Sequence, residues 1–191
     1  MGRSFPPVDG DPPSLAGALA CSLREVVEDV VGSREVLRAL EAVPPDVRQQ
    51  YLEVTAVGWI SIDTMEEVFR AIAVQAGRTV ADLHAEVARI SIERTMRTLW
   101  RMLLRLTTDR ALVSRTPAIF DRSYNRGRLE AVIPEPGRGV ITLSDWPDVP
   151  EWPIRATQIG IETVLRVAGR RDVRVEAHRT PTGAQYLASW D

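Results

Sequence analysis

The sequence predicts an α+β fold, a helical N-terminal half packed on a C-terminal ββαββ antiparallel sheet unit. Three observations predict it. Apolar residues recur at helical spacing from Ser14 to about Leu106. After Pro117 that period gives way to short β-type runs around a Gly-containing turn. Val173-Arg174-Val175-Glu176-Ala177 then alternates strictly, as a half-buried strand does. Residues 14–191 read as one domain, a length that buries a sizeable core without metals or disulfides. Residues 1–13, with four Pro and two Gly, read as a flexible arm.

The elements follow in order. Leu15 to Cys21 suits either a helix start or an edge strand. Ser33 can cap a helix carrying Val36, Leu37, Leu40 and Val43 on one face. Pro44-Pro45 ends it, and Pro45 suits the first turn of the next. Gly58-Trp59-Ile60 interrupts the helical pattern, and Asp63-Thr64-Met65-Glu66 has the form of a capping box. Gly77 suits the left-handed position past a helix end. Thr79 followed by Asp82 starts a long helix reaching about Leu106, with a kink expected near Arg89–Ser91. Residues 128–134 and 140–143 form a hairpin around Glu135-Pro136-Gly137-Arg138. Asp145–Pro153 is a Trp/Pro-rich connection, Ile154–Ala168 a helix closed by Gly169, and Ala184–Trp190 the last strand.

Composition excludes several chemistries. All 24 basic residues are Arg, so no Schiff-base lysine and no phosphate-loop lysine exists. A single Cys, Cys21, forbids an internal disulfide or a Cys-rich metal site, and it reads as a small buried hydrophobe. With two His, most transition-metal sites are not expected. No nucleophile-elbow or Ser/His/Asp pattern occurs. No apolar run reaches the roughly 18–20 residues of a spanning helix. The first residues do not have the form of a secretory signal, so a cytoplasmic place is expected.

Charge is segregated. The chain carries a net −2, yet residues 89–128 hold ten Arg against three acids, while residues 23–67 carry ten acids and four Arg. Arg94, Arg97, Arg101 and Arg105 fall within an arc of about 80° on a helix. Three readings compete for this stripe. It is a solvated face loosely paired with acidic helices of the same fold. It contacts an acidic surface of a protein partner or of a second copy. Or it binds phosphate, nucleic acid or an anionic membrane, which the overall acidity and the lack of a nucleic-acid motif disfavour. Trp146 and Trp152 flank a Pro-rich loop, where they either anchor a partner or fold onto the core. His84 reads as an ordinary helical His or as a ligand, with Trp59 and Trp100 as further candidates to line a pocket. His178, at a strand end beside Arg179, reads as exposed.

The segment FDRSYNRGRLEAVIPEPGRGVITLSDWPDVP, then a helix, then GRRDVRVEAHRTPTGAQYLASW, carries a resemblance. Gly127-Arg128-Leu129, Pro136-Gly137, Trp146-Pro147, Gly169, Val173, Val175 and Trp190 fall in its pattern. So do VPPDVRQQYLEV, GWISIDTMEEVFRAI and GRTVADLH in the helical half. Over about residues 15–190 the chain resembles the fold shared by vinyl-reductase-type domains, haem–NO-binding domains and core subunits of the TRAPP tethering complex. It is most similar to a domain family of unknown function expanded as paralogues in myxobacteria. The resemblance implies a regulatory or scaffolding domain, not an enzyme, working by protein–protein contact in bacterial signalling or cell organisation. The partner would be another copy in a homodimer, or a protein such as a small GTPase or polarity protein. The alternative it implies is a small-molecule sensor, with haem or an apolar ligand as the molecule sensed. No cofactor is expected. Haem–NO-binding domains use a helical His ligand and a Tyr-x-Ser-x-Arg motif for the propionates, and the nearest text, Tyr124-Asn125-Arg126, lacks that pattern.

Overall fold

The computed structural model describes residues 11–95 and 108–191. The expected architecture is present: helices in the first half, a four-stranded antiparallel sheet in the second. The chain opens with a short strand, β1 (Ser14–Ala16), and passes directly into α1 (Gly17–Val31), so both readings of Leu15–Cys21 hold in part. β1 pairs with β2 (Trp59–Ser61), Leu15 opposite Ile60. The sole Asn ties this pair to the second half: the Ser14 amide donates to Asn125 Oδ1 at 2.7 Å, and the Asn125 amide to the Ser14 carbonyl at 3.2 Å.

Between these strands lie α2 (Ser33–Ala42) and α3 (Pro45–Glu53). Pro44-Pro45 separates them as expected, with Pro45 in the first turn, where its missing N–H costs nothing. Ser33 is a correction. It stands inside α2, Gly32 is the cap, and no side chain caps that end. The next helix, α4 (Ile62–Gln75), starts earlier than the capping-box reading placed it: Ser61 is the cap, its Oγ accepting from the Thr64 amide at 3.2 Å. Gly77 takes φ 64°, a left-handed value that lets the Arg78 amide reach back to the Ala73 carbonyl at 2.9 Å. Thr79 then caps α5 (Val80–Thr95), accepting from the Asp82 amide at 3.1 Å. The rest of the expected long helix lies outside the described residues.

Two short helices, α6 (Asp109–Val113) and α7 (Thr116–Phe120), lead into the sheet. Its strands are β3 (Arg128–Glu135), β4 (Arg138–Ser144), β5 (Arg174–Thr180) and β6 (Gly183–Ser189), in the order β3-β4-β6-β5. Inward residues Leu129, Ile141, Leu143, Val175, Tyr186 and Ala188 alternate with outward, more exposed ones, mostly polar but including Leu187, as the two-residue period requires. One helix, α8 (Glu151–Val167), covers the inner face, and the Gln158 side chain donates to the Val175 carbonyl at 2.7 Å. α8 begins three residues before the expected Ile154, with Pro150 as cap and Pro153 in its first turn. α5 lies along α8, so this pair joins the helical half to the sheet. Ile92 of α5 comes within 3.7 Å of the position a Cβ would take at Gly160 of α8.

Candidate functional site at the helix junction

The junction of α4, α5 and α8 holds an aromatic cluster with one polar member. On α5, Leu83, His84, Val87, Ala88 and Ser91 form the buried stripe, so His84 faces the protein. Phe69 comes from the apolar face of α4, which also carries Ile62, Met65 and Ile72. Trp152 comes from the first turn of α8. The His84 ring lies 4.6 Å from Phe69 and 5.2 Å from Trp152, centroid to centroid. Phe69 and Trp152 stand 6.3 Å apart.

His84 is 8% exposed, and its Nε2 exposes under 1 Å² with no hydrogen-bond partner among the described residues. Burial pushes the imidazole pKa from 6.5 down to about 4. The ring is therefore neutral at pH 7, one nitrogen keeping a lone pair. A neutral buried imidazole with a free nitrogen can take a hydrogen bond from a ligand, give one, or bind a metal. Among the described residues, no group of three or more His, Cys, Asp and Glu side chains is placed to hold a metal ion.

The other candidate residues are scattered. Arg94 is exposed and pairs with Asp29 of α1 at 2.7 Å, the intramolecular arrangement of the solvated-face reading. Arg97, Trp100, Arg101 and Arg105 lie outside the described residues. Trp146 is 2% exposed and packs edge-on against Tyr124 at 5.9 Å. With Trp152 also buried, the loop folds onto the core and presents neither indole to a partner. Trp59 is 46% exposed and lines a small cleft of about 250 Å³ at the end of α3, whose lining does not include His84, Phe69 or Trp152. His178 is exposed, 3.8 Å from Glu176. Phe69 was not singled out, because a Phe in an apolar helical stripe carries no signal beyond burial.

The fold is that of the haem–NO-binding (H-NOX) domains. An iron(II) unliganded H-NOX protein from K. algicida matches with TM-score 0.66 at 10% identity, over 92% of this chain and 96% of its own. An oxygen-binding H-NOX domain related to soluble guanylate cyclases, in its oxygen complex, matches with TM-score 0.65 at 12% identity, over 92% and 95%. A protein in which porphyrin distortion modulates haem redox potential matches with TM-score 0.66 at 13% identity, over 91% and 99%. At such identities the likeness shows the fold. No protein-family model and no curated protein matches the chain.

These neighbours correct the expectation of no cofactor, since the chains sharing the fold include a haem protein. Tested against haem, the described residues supply one suitable group. The orphaned, neutral His84 would supply an imidazole nitrogen of the kind that binds haem iron. The propionate anchors do not follow. Arg128 does stand four residues after Tyr124, with Arg126 where the motif has Ser, so the spacing is closer to the motif than the sequence reading allowed. Arg128, however, is exposed and pairs with Glu130 at 3.4 Å, and Arg126 donates to the Asp11 carbonyl at 3.3 Å. Tyr124 is buried against Phe120, ring centroids 4.9 Å apart. Of the described residues, His84 is the one that would hold haem, through its unpartnered imidazole nitrogen.

Proposed function

We propose that this domain is a small-ligand sensor that receives its ligand at the His84–Phe69–Trp152 cluster. One observation carries the reading: a buried imidazole nitrogen without a partner. Leaving a buried polar atom unsatisfied costs roughly 1–3 kcal/mol, so such atoms mark places where something else completes the bonding. The solved structures of this fold, oxygen-binding and haem-bearing among them, support a sensor over the scaffold expected from the sequence. Haem is the ligand His84 suits, and when bound it supplies an iron able to take a small gas. The protein's part is to hold His84 neutral and to exclude water with the two flanking rings. Because Nε2 is sealed by packed atoms, a ligand reaches it only as Trp152 or Phe69 gives way.

Titration of the purified chain with haem under reducing conditions tests this. A saturable Soret band of one haem per chain is expected, lost in His84→Ala. No saturable band, together with no small molecule retained in native mass spectrometry, overturns the reading.

A further inference from the structure

A second site lies at the far end of α8 from Trp152. The loop between α8 and β5 opens a cleft of about 610 Å³ lined by Arg166, Arg170, Arg171, Asp172, Val173 and Arg174. Four guanidinium groups share it with one carboxylate. Its frame is fixed by the backbone. The Gly169 amide donates to the Arg166 carbonyl at 2.9 Å and the Arg170 amide to the Leu165 carbonyl at 3.1 Å. Arg171 and Asp191 exchange both their backbone hydrogen bonds, at 2.9 and 3.0 Å.

The four Arg differ in what already occupies them. Arg170 donates to Asp109 at 2.8 and 2.6 Å and to the Ala168 carbonyl at 2.7 Å, so it builds the floor. Arg166 pairs with Glu162 one turn back on the exposed side of α8. Arg171 and Arg174 are exposed and make no ion pair among the described residues. Helix C-termini attract cations, and Arg166 and Arg170 answer that need. Arg171 and Arg174 lie beyond the last turn, where the dipole has faded, in a chain with more acids than bases. Their convergence has no partner within the described fold.

Guanidinium forks match phosphate oxygens in pairs. The lining has no aromatic ring on which a base could stack. The loop backbone is already hydrogen-bonded, so binding has only side chains to order. We propose that this cleft binds a soluble polyvalent phosphate anion, held by Arg171 and Arg174 with Arg166 at the edge and Arg170 as a fixed floor.

Calorimetric titration of the full chain with inorganic pyrophosphate at low salt tests it. One saturable site is expected, weakened about tenfold or more in Arg171→Ala/Arg174→Ala. Arg70→Ala/Arg89→Ala, an equal charge change on α4 and α5, is expected to bind as the parent does. Both pairs are exposed, and an unchanged thermal midpoint confirms that each variant folds. Absence of saturable binding overturns the proposal, as does equal loss in the control pair. Binding to vesicles bearing phosphorylated lipid without any response to pyrophosphate overturns it too.

Discussion

Arg170 and Asp109 meet across 61 residues of chain, the guanidinium donating through Nε and one Nη to a single carboxylate oxygen. The other Asp109 oxygen accepts from the Trp190 indole at 3.3 Å. One carboxylate thus pins the start of α6 to both the α8–β5 loop and the end of the last strand. Asp109→Ala removes the acceptor shared by two Arg170 N–H groups and the Trp190 indole, while Arg170 keeps its bond to the Ala168 carbonyl. The expected loss is about 1–3 kcal/mol, read from urea denaturation. A loss within about 0.5 kcal/mol would place this pair with ordinary surface ion pairs.

Acid should destabilise the chain partly through His84. Its folded pKa of about 4 lies below the ordinary 6.5, so the unfolded state binds the proton more readily. Stability is therefore full above about pH 6.5 and falls as pH drops from there toward 4. The depression corresponds to a contribution on the order of 3 kcal/mol. In His84→Phe, urea midpoints measured between pH 7 and pH 4 should decline less steeply than in the parent. Parallel curves would show that the imidazole is not the group responsible.

Two glycines should respond oppositely to alanine. A Cβ on Gly17 would stand 1.9 Å from the Thr55 carbonyl oxygen and 2.9 Å from that of Gly58. The backbone must move, and a loss of about 2 kcal/mol or more is expected. Gly160 lies inside α8, and among the described residues its Cβ would meet Ile92 alone, at an ordinary 3.7 Å. Gly160→Ala should gain about 0.5–1 kcal/mol from helix propensity. Thermal melting of both variants checks the pair.

Arg94 and Asp29 join α5 to α1 in the open, side chains 43% and 61% exposed. A double-mutant cycle to alanine should give a coupling under about 1 kcal/mol, shrinking with added salt. Because little stability is at stake, Arg94→Glu also probes the acidic protein partner expected of the Arg stripe. A binding partner using that face would be lost while the melting temperature holds.

Local rules carried most of the fold. Pro44-Pro45, Gly77, Thr79-x-x-Asp82 and the turn at Gly137 act through their own backbone chemistry, and each stands where the sequence put it. Errors fell where two local signals competed. Ser61 beat Asp63 as a cap, and Gly32 displaced Ser33, since several polar residues near a helix start can serve. α6 and α7 escaped notice because five residues are too few to show a helical period. The site was harder still. His84 was visible as a rare residue, but its partners Phe69 and Trp152 come from other helices. The Arg cleft depends on which cations are already paired, and periodicity does not encode that.

α8 is a single rod of 17 residues, about 25 Å long, with Trp152 in its first turn and Arg166 in its last. It lies between α5 and the sheet and is notched at Gly160, where Ile92 sits with only ordinary contact. A rod of this kind transmits displacement without unwinding. One rigid element therefore spans the distance between the aromatic cluster at its first turn and the Arg-lined cleft just past its last, and both ends are anchored in the same core.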